Sequence, residues 1–143
     1  MANGLYRKAA QDVLEGKVNL LTDTVKVQLI GWGYPVDFEQ HQWLADIAAE
    51  FRQVPAVTLT GKSCTHGIFD ADDVLFAGVH DTQLPLSAAA CVVLYLDNGT
   101  NDPASTPLLA YLDTLDGAWP AVIVGTRDIS VGWANSLNRI FRI

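Results

Sequence analysis

The stretch AAACVVLYL at residues 88–96 is the most apolar run in the chain, and its reading decides the rest. Nine residues are short for a buried helix. Val92, Val93, Leu94 and Tyr95 are β-formers, and a turn cluster, DNGTNDPAST at 97–106, closes the run abruptly. A central, fully buried strand follows. After the turn, PLLAYLDT at 107–114 reads as the next strand, with LDGAW at 115–119 as its exit. Working outward, AVTLTGKSCTHGIFDADDVLFAG at 56–78 predicts strands near 56–60, 62–69 and 73–77, the last two separated by an acidic turn. AVIVG, RDISVGW and NRIFRI add two or three closing strands.

Toward the N-terminus the period changes. Val25, Val27 and Leu29 alternate with Thr24, Lys26 and Gln28, which predicts a half-buried strand over 24–30. Leu5, Ala9 and Val13, with Ala10 and Leu14 beside them, keep helical spacing, so residues 5–15 are expected to form a helix. Asn3 is its expected N-cap and Gly16 its stop. Between them, Gly31, Gly33 and Pro35 open an irregular excursion over 31–53. Trp43, Ile47 and Phe51 keep a spacing of four there, which suggests a short helix within 39–51. The expected architecture is one mainly β domain over 1–143, an antiparallel sandwich or barrel, with residues 1–16 as an N-terminal arm and short α-helix. No repeat, heptad or linker divides it.

Composition narrows the function. Of 143 residues half are hydrophobic and 17% charged, which argues against disorder. A net charge of −7 opposes nucleic acid as a partner, because phosphates would be repelled. No apolar leader region and no 18-residue apolar run are visible, so a secretory address and a membrane span are not expected. Cys64 and Cys91 form no CxxC pair; burial as small hydrophobes is the expectation for both, with a disulfide left open.

Ionisable residues crowd only in HGIFDADDVLF at 66–76. His66, Asp70, Asp72 and Asp73 are candidates for a divalent metal or an acid–base pair. A hard cation needs about six oxygens converging from a loop, whereas strand rhythm sets Asp70 and Asp72 on one face and Asp73 on the other. An acidic turn bonding its own backbone is the cheaper account. DNGTND at 97–102 has the residue types of a calcium loop without its spacing or its closing glutamate. His41 with Asp37 and Asp46, and the pair His80–Asp81, read as solvated loop residues. Cys64 and His66 would share a strand face, but no GxSxG elbow or glycine-rich oxyanion turn accompanies them. Trp32, Trp43, Trp119 and Trp133 suggest a sugar-binding platform, with core or interface burial as the commoner fate. No catalytic, metal or cofactor site is expected, and the chain reads as a non-enzyme.

The order LYRKAAQDVLEGKVNLLTDTVKVQLI, YPVDFEQHQWLADI, TLTGKSC with IFDADDVLF, then CVVLYLDNGT with STPLLAYLD, resembles a family of tailed-bacteriophage virion structural proteins over nearly its whole length. The chain departs from that pattern at EFRQVPAV, 50–57, where a longer aromatic, glycine-rich stretch is expected. The resemblance implies a capsid decoration, or cement, protein of the minor capsid type. Such a protein is made in the host cytoplasm and seated on the outer surface of the virion capsid. Its partners would be the major capsid protein and itself, as a homotrimer at capsomer junctions. On that reading Tyr6, Trp32, Tyr34, Phe38 and Trp43 are the expected contacts, being aromatic types enriched at interface hot spots. They could equally cap the β core. The alternatives are a tail-tube or tail-tip structural protein, a carbohydrate-binding β module, and a small hydrolase built on Cys64 and His66.

Overall fold

The computed structural model describes residues 4–31, 34–77, 91–113, 121–124, 128–133 and 140–142. In chain order these form strand β1 (Gly4–Leu5), helix α1 (Arg7–Leu14), β2 (Val25–Ile30), β3 (Val57–Thr58), β4 (Ser63–Thr65), β5 (Ile68–Asp70), β6 (Val74–Phe76), β7 (Cys91–Leu96), β8 (Leu108–Leu112), β9 (Ala121–Val124), β10 (Asp128–Val131) and β11 (Phe141–Arg142). The fold is mainly β and antiparallel with a short N-terminal helix, as its patterning predicts. The strands divide among three sheets, ordered β1–β8–β7–β2–β3, β6–β10–β9 and β11–β5–β4. That division is compatible with a sandwich or barrel.

The described part of the apolar run, Cys91–Leu96, is indeed the centre, and residues 88–90 lie outside the described residues. β7 lies between β2 and β8, and Cys91 through Tyr95 are all buried. Register sorts the side chains by face. Val27, Leu94 and Ala110 stand in one cross-strand row, and Leu29, Val92 and Leu112 in the next. The other face carries the row Gln28–Val93–Tyr111 and the pairs Ile30–Cys91 and Lys26–Tyr95. Both faces are covered, so β2 is not half-buried as alternation implies: Gln28 and Ile30 are buried along with Val25, Val27 and Leu29. Buried residues of the two smaller sheets, including Phe69, Phe76 and Val131, join the same hydrophobic cluster. Each large side chain buried this fully contributes about 1.5–3 kcal/mol relative to exposure.

Helix α1 is shorter than the spacing predicts, because Gly4 and Leu5 pair with Tyr111 and Ala110 as an edge strand. Tyr6 takes the N-cap position with no side-chain cap, in place of Asn3, which lies outside the described residues. The stop is as expected. Gly16 is left-handed at φ 74°, with Gly16 N–H donating to Val13 O and Lys17 N–H to Asp12 O, the paired closure glycine favours at a helix end. The buried face runs through Tyr6, Ala9 and Asp12, while Leu14, expected beside it, is 84% exposed. Asp12 is tolerated there because Lys8 reaches it at 2.9 Å, one turn back.

Two further expectations give way. No α-helix forms within 39–51. Instead two 3₁₀ turns, Leu44–Asp46 and Ala49–Phe51, bring Leu44 and Ile47 inward. The Asp46 carboxylate accepts from the N–H groups of Gln42 and Trp43, competing with helical pairing there. The strand expected over 62–69 is a tight hairpin. His66 and Gly67 have φ of 52° and 79°, the backbone of a two-residue hairpin turn, and Thr65 pairs directly with Ile68. Likewise the strand expected over 56–60 shrinks to Val57–Thr58.

Candidate interaction surface

The aromatic residues of the N-terminal arm and the following loop assemble into one cluster. Tyr6 N–H donates to Leu109 O at 3.1 Å, and Arg7 N–H donates to Phe38 O at 3.0 Å, tying the arm to both β8 and the loop. Phe38 packs 5.5 Å from Tyr6 and 6.0 Å from Tyr111, ring centre to ring centre. Tyr34 lies 6.1 Å from Tyr111, 6.2 Å from Phe51 and 5.6 Å from the His41 ring, nearly parallel to it. Hydroxyls link the rings: Tyr6 and Tyr34 share a hydrogen bond of 3.0 Å, and Tyr34 bonds His41 Nδ1 at 2.7 Å. Gly4 makes this closure possible, since a Cβ there would stand 3.0 Å from the Phe38 ring.

Burial raises the pKa values of this cluster. It pushes the Tyr34 phenol up to about 12 and the Cys91 thiol to about 12. Tyr6 and Tyr111 are held well above the ordinary phenol range, again chiefly by burial. These groups are neutral at physiological pH and act as hydrogen-bonding struts.

Of the five expected contact residues, the structure describes four, and they are of two kinds. Tyr6 is fully buried, which removes it from the accessible surface. Tyr34, Phe38 and Trp43 are half-buried. Trp43 bridges to Pro107 as an isolated strand pair, with the Lys8 ammonium 5.0 Å above its ring. Trp32 lies outside the described residues, as do Trp119 and the pair His80–Asp81. Trp133 is buried, donating its Nε1–H to Asp72 O at 2.8 Å. Trp43 and Trp133 thus form no shared platform.

The acidic stretch works as a connector. Asp72 N–H donates to Thr60 O at 2.9 Å, and its carboxylate sits over Gly61. Asp73 accepts from Trp133 N–H at 3.1 Å. His66 stands in the hairpin turn, so it does not share a strand face with Cys64, and Cys64 is exposed at an edge strand rather than buried. In the 97–106 loop, Asp97 accepts from Gly99 N–H and Asp102 from Ala104 N–H. Asp37 accepts from the N–H groups of Glu39 and Gln40, apart from the His41–Tyr34 pair. Among the described residues no three of His, Cys, Asp and Glu converge as metal ligands. No helix among them is long and apolar enough to cross a membrane.

The described residues also form a concavity that patterning did not disclose. On the second face of the large sheet Lys26, Gln28 and Tyr95 line a groove of about 430 Å³ between segment 52–56 and the loop after β7. Its only signal in the sequence was the polar positions Lys26 and Gln28 of β2. Comparison with known protein families, with curated proteins and with solved structures gives no match to this chain.

Proposed function

We propose that this chain is a non-enzymatic structural protein of a tailed-phage virion, a decoration protein that binds the outer face of the capsid shell at capsomer junctions. The resemblance in ordered motifs motivates the reading. The observation that carries it is the locked aromatic loop: Tyr6, Tyr34 and His41 fix residues 34–43 on the sheet, leaving Phe38 and Trp43 half-buried on a formed surface. A surface ordered before binding loses little conformational entropy on docking, which suits a protein repeated many times over a shell. Each copy can bind modestly, because a homotrimer touching several capsomers gains effective concentration. An exterior seat also suits a net charge of −7, far from packaged nucleic acid.

The test is a cryo-EM map of the particle that carries the chain. Density at threefold and quasi-threefold junctions of the shell is expected. Density in tail rings would transfer the protein to the tail tube or tip, and absence from the particle would overturn the virion reading altogether.

A further inference from the structure

We propose that the groove beside Lys26 and Arg52 is a binding site for a carboxylate presented by a protein segment, an acidic side chain or a chain terminus. The inference does not rest on the virion reading.

The groove is built by topology. β2 and β7 lie side by side with Lys26 opposite Tyr95, and both side chains line the floor with Gln28. Segment 52–56 forms one wall, and Asn101, Pro103 and Thr106 belong to the other. Gln28 anchors the first wall by donating its Nε2–H to Val54 O. Arg52 is anchored too: its Nε–H donates to Ile47 O at 2.7 Å. A guanidinium carries five N–H donors in a planar fork, and that bond uses one. The fork is thereby positioned at the groove wall, and fixing one edge reduces the entropy lost when the rest binds.

Charge points to the ligand. Two cations, Lys26 and Arg52, line the groove against one carboxylate, Asp97, in a chain whose net charge is −7. Lys26 and Asp97 meet at 3.3 Å with both side chains partly exposed, a pair of small net worth that a second carboxylate can share. Arg52, Asp97 and Tyr95 all line this one groove. A volume near 430 Å³ admits one side chain or a terminal residue. A carboxylate there would bridge Arg52 and Lys26 and accept from Tyr95 or Asn101. Arginine recognises planar carboxylates by such paired bonds.

The experiment is a ¹H–¹⁵N NMR titration of the full chain with two probes, acetyl-Glu-N-methylamide and acetyl-Gly-Ala with a free C-terminus. Acetyl-Gln-N-methylamide is the uncharged control. Saturable shifts confined to amides near 26–28, 52–56 and 95–103 are expected with at least one carboxylate probe, and the tighter probe identifies the source. Arg52→Gln should weaken binding about tenfold or more, and Arg52→Lys should recover only part, because charge returns without the fork. Asp97→Asn should tighten binding by removing the competing carboxylate. If Arg52→Gln disturbs the 47–52 turn, Lys26→Gln serves as the second weakening variant. Absence of saturable shifts with either probe, equal shifts with the glutamine control, or binding unmoved by Asp97→Asn and both weakening variants would overturn the site.

Discussion

The centre of the large sheet and the segment from Val57 to Phe76 are both antiparallel β structure, yet they are held by different forces. β2, β7 and β8 are buried on both faces and paired over long registers, so apolar area does most of the stabilising. The Val57–Phe76 segment has strands of two or three residues, and β4 is exposed at every position. Phe69, Val74 and Phe76 anchor it in the shared core, while its turns depend on left-handed residues at Gly61, His66 and Gly67 and on the Asp73 carboxylate, which accepts from Trp133 N–H. Damage to the first region should unfold the molecule. Damage to the turns of the second should act locally.

The largest expected effect tests the first half of that contrast. Leu94 is fully buried at the middle of β7, in the row with Val27 and Ala110. Leu94→Ala should cost about 2–5 kcal/mol, transfer and cavity terms together, measured by urea unfolding. A loss below about 1 kcal/mol would mean that the sheet centre is not where the stability resides.

A smaller loss is expected on the other side. Gly61 has φ 63°, and a Cβ there would stand 2.4 Å from the Asp72 carboxylate. Gly61→Ala should cost about 1–2 kcal/mol for the left-handed backbone, with a further contribution from displacing Asp72. Asp72→Ala removes the obstructing carboxylate but not the backbone strain. In a double-mutant cycle, the penalty of Gly61→Ala should therefore shrink without vanishing in the Asp72→Ala background. Additive penalties would show that Asp72 does not rest on Gly61 in solution. Hydrogen exchange should quicken around 57–76 and leave β2, β7 and β8 unchanged.

The same contrast explains what could be read in advance. The run at 88–96 announces a buried strand because apolar residues have few alternatives to burial, and Gly16 announces a helix end because few residues tolerate its conformation. His66–Gly67 does not resemble the asparagine–glycine or aspartate–glycine pairs that mark tight hairpins, so one strand was expected where two stand. Leu14 follows helical spacing but points to solvent, because β1 takes the first residues of the expected helix and the buried face runs through Tyr6 and Asp12. The aromatic residues at 34–43 were legible as important, but burial of Tyr6 against the exposure of its neighbours depends on β1 pairing with β8. The groove was hidden for the same reason: residues 26–28, 52–56 and 95–106 meet only after the strands pair.

The aromatic cluster belongs to the first region, although polar bonds join its rings. Tyr34→Phe keeps the ring and removes the bonds to Tyr6 and to His41 Nδ1, so a loss of about 1–3 kcal/mol is expected. It should also change the alkaline response. The folded-state value of Tyr34 is about 12, above the ordinary phenol value of about 10. The folded chain thus holds this proton where the unfolded chain releases it. The stabilisation is complete below pH 10 and is lost as pH rises from about 10 to about 12. In Tyr34→Phe the decline of stability over that window should be shallower by one titrating group, with Tyr6, Cys91, Tyr95 and Tyr111 supplying the rest. An unchanged slope would show that Tyr34 is not buried in solution.

The gentlest probe leaves stability untouched and asks only about access. Cys91 is buried in the large sheet, and its thiol, pushed up to about 12, is almost wholly protonated at neutral pH. Cys64 stands exposed on β4. Since the thiolate is the reactive form and access is also required, a disulfide reagent at pH 8 should modify one thiol per native chain. Cys64→Ser should abolish that fast reaction, and denaturant should reveal the second thiol. Slow labelling of Cys91 would then follow the global unfolding of β7, whereas labelling of Cys64 would not depend on unfolding. If both thiols react at one rate in the native protein, the division between a buried centre and an exposed hairpin fails. If Cys91 labelling quickens by the factor that the lost global stability predicts in Leu94→Ala and Tyr34→Phe, the same reagent reports which residues unfold with the centre.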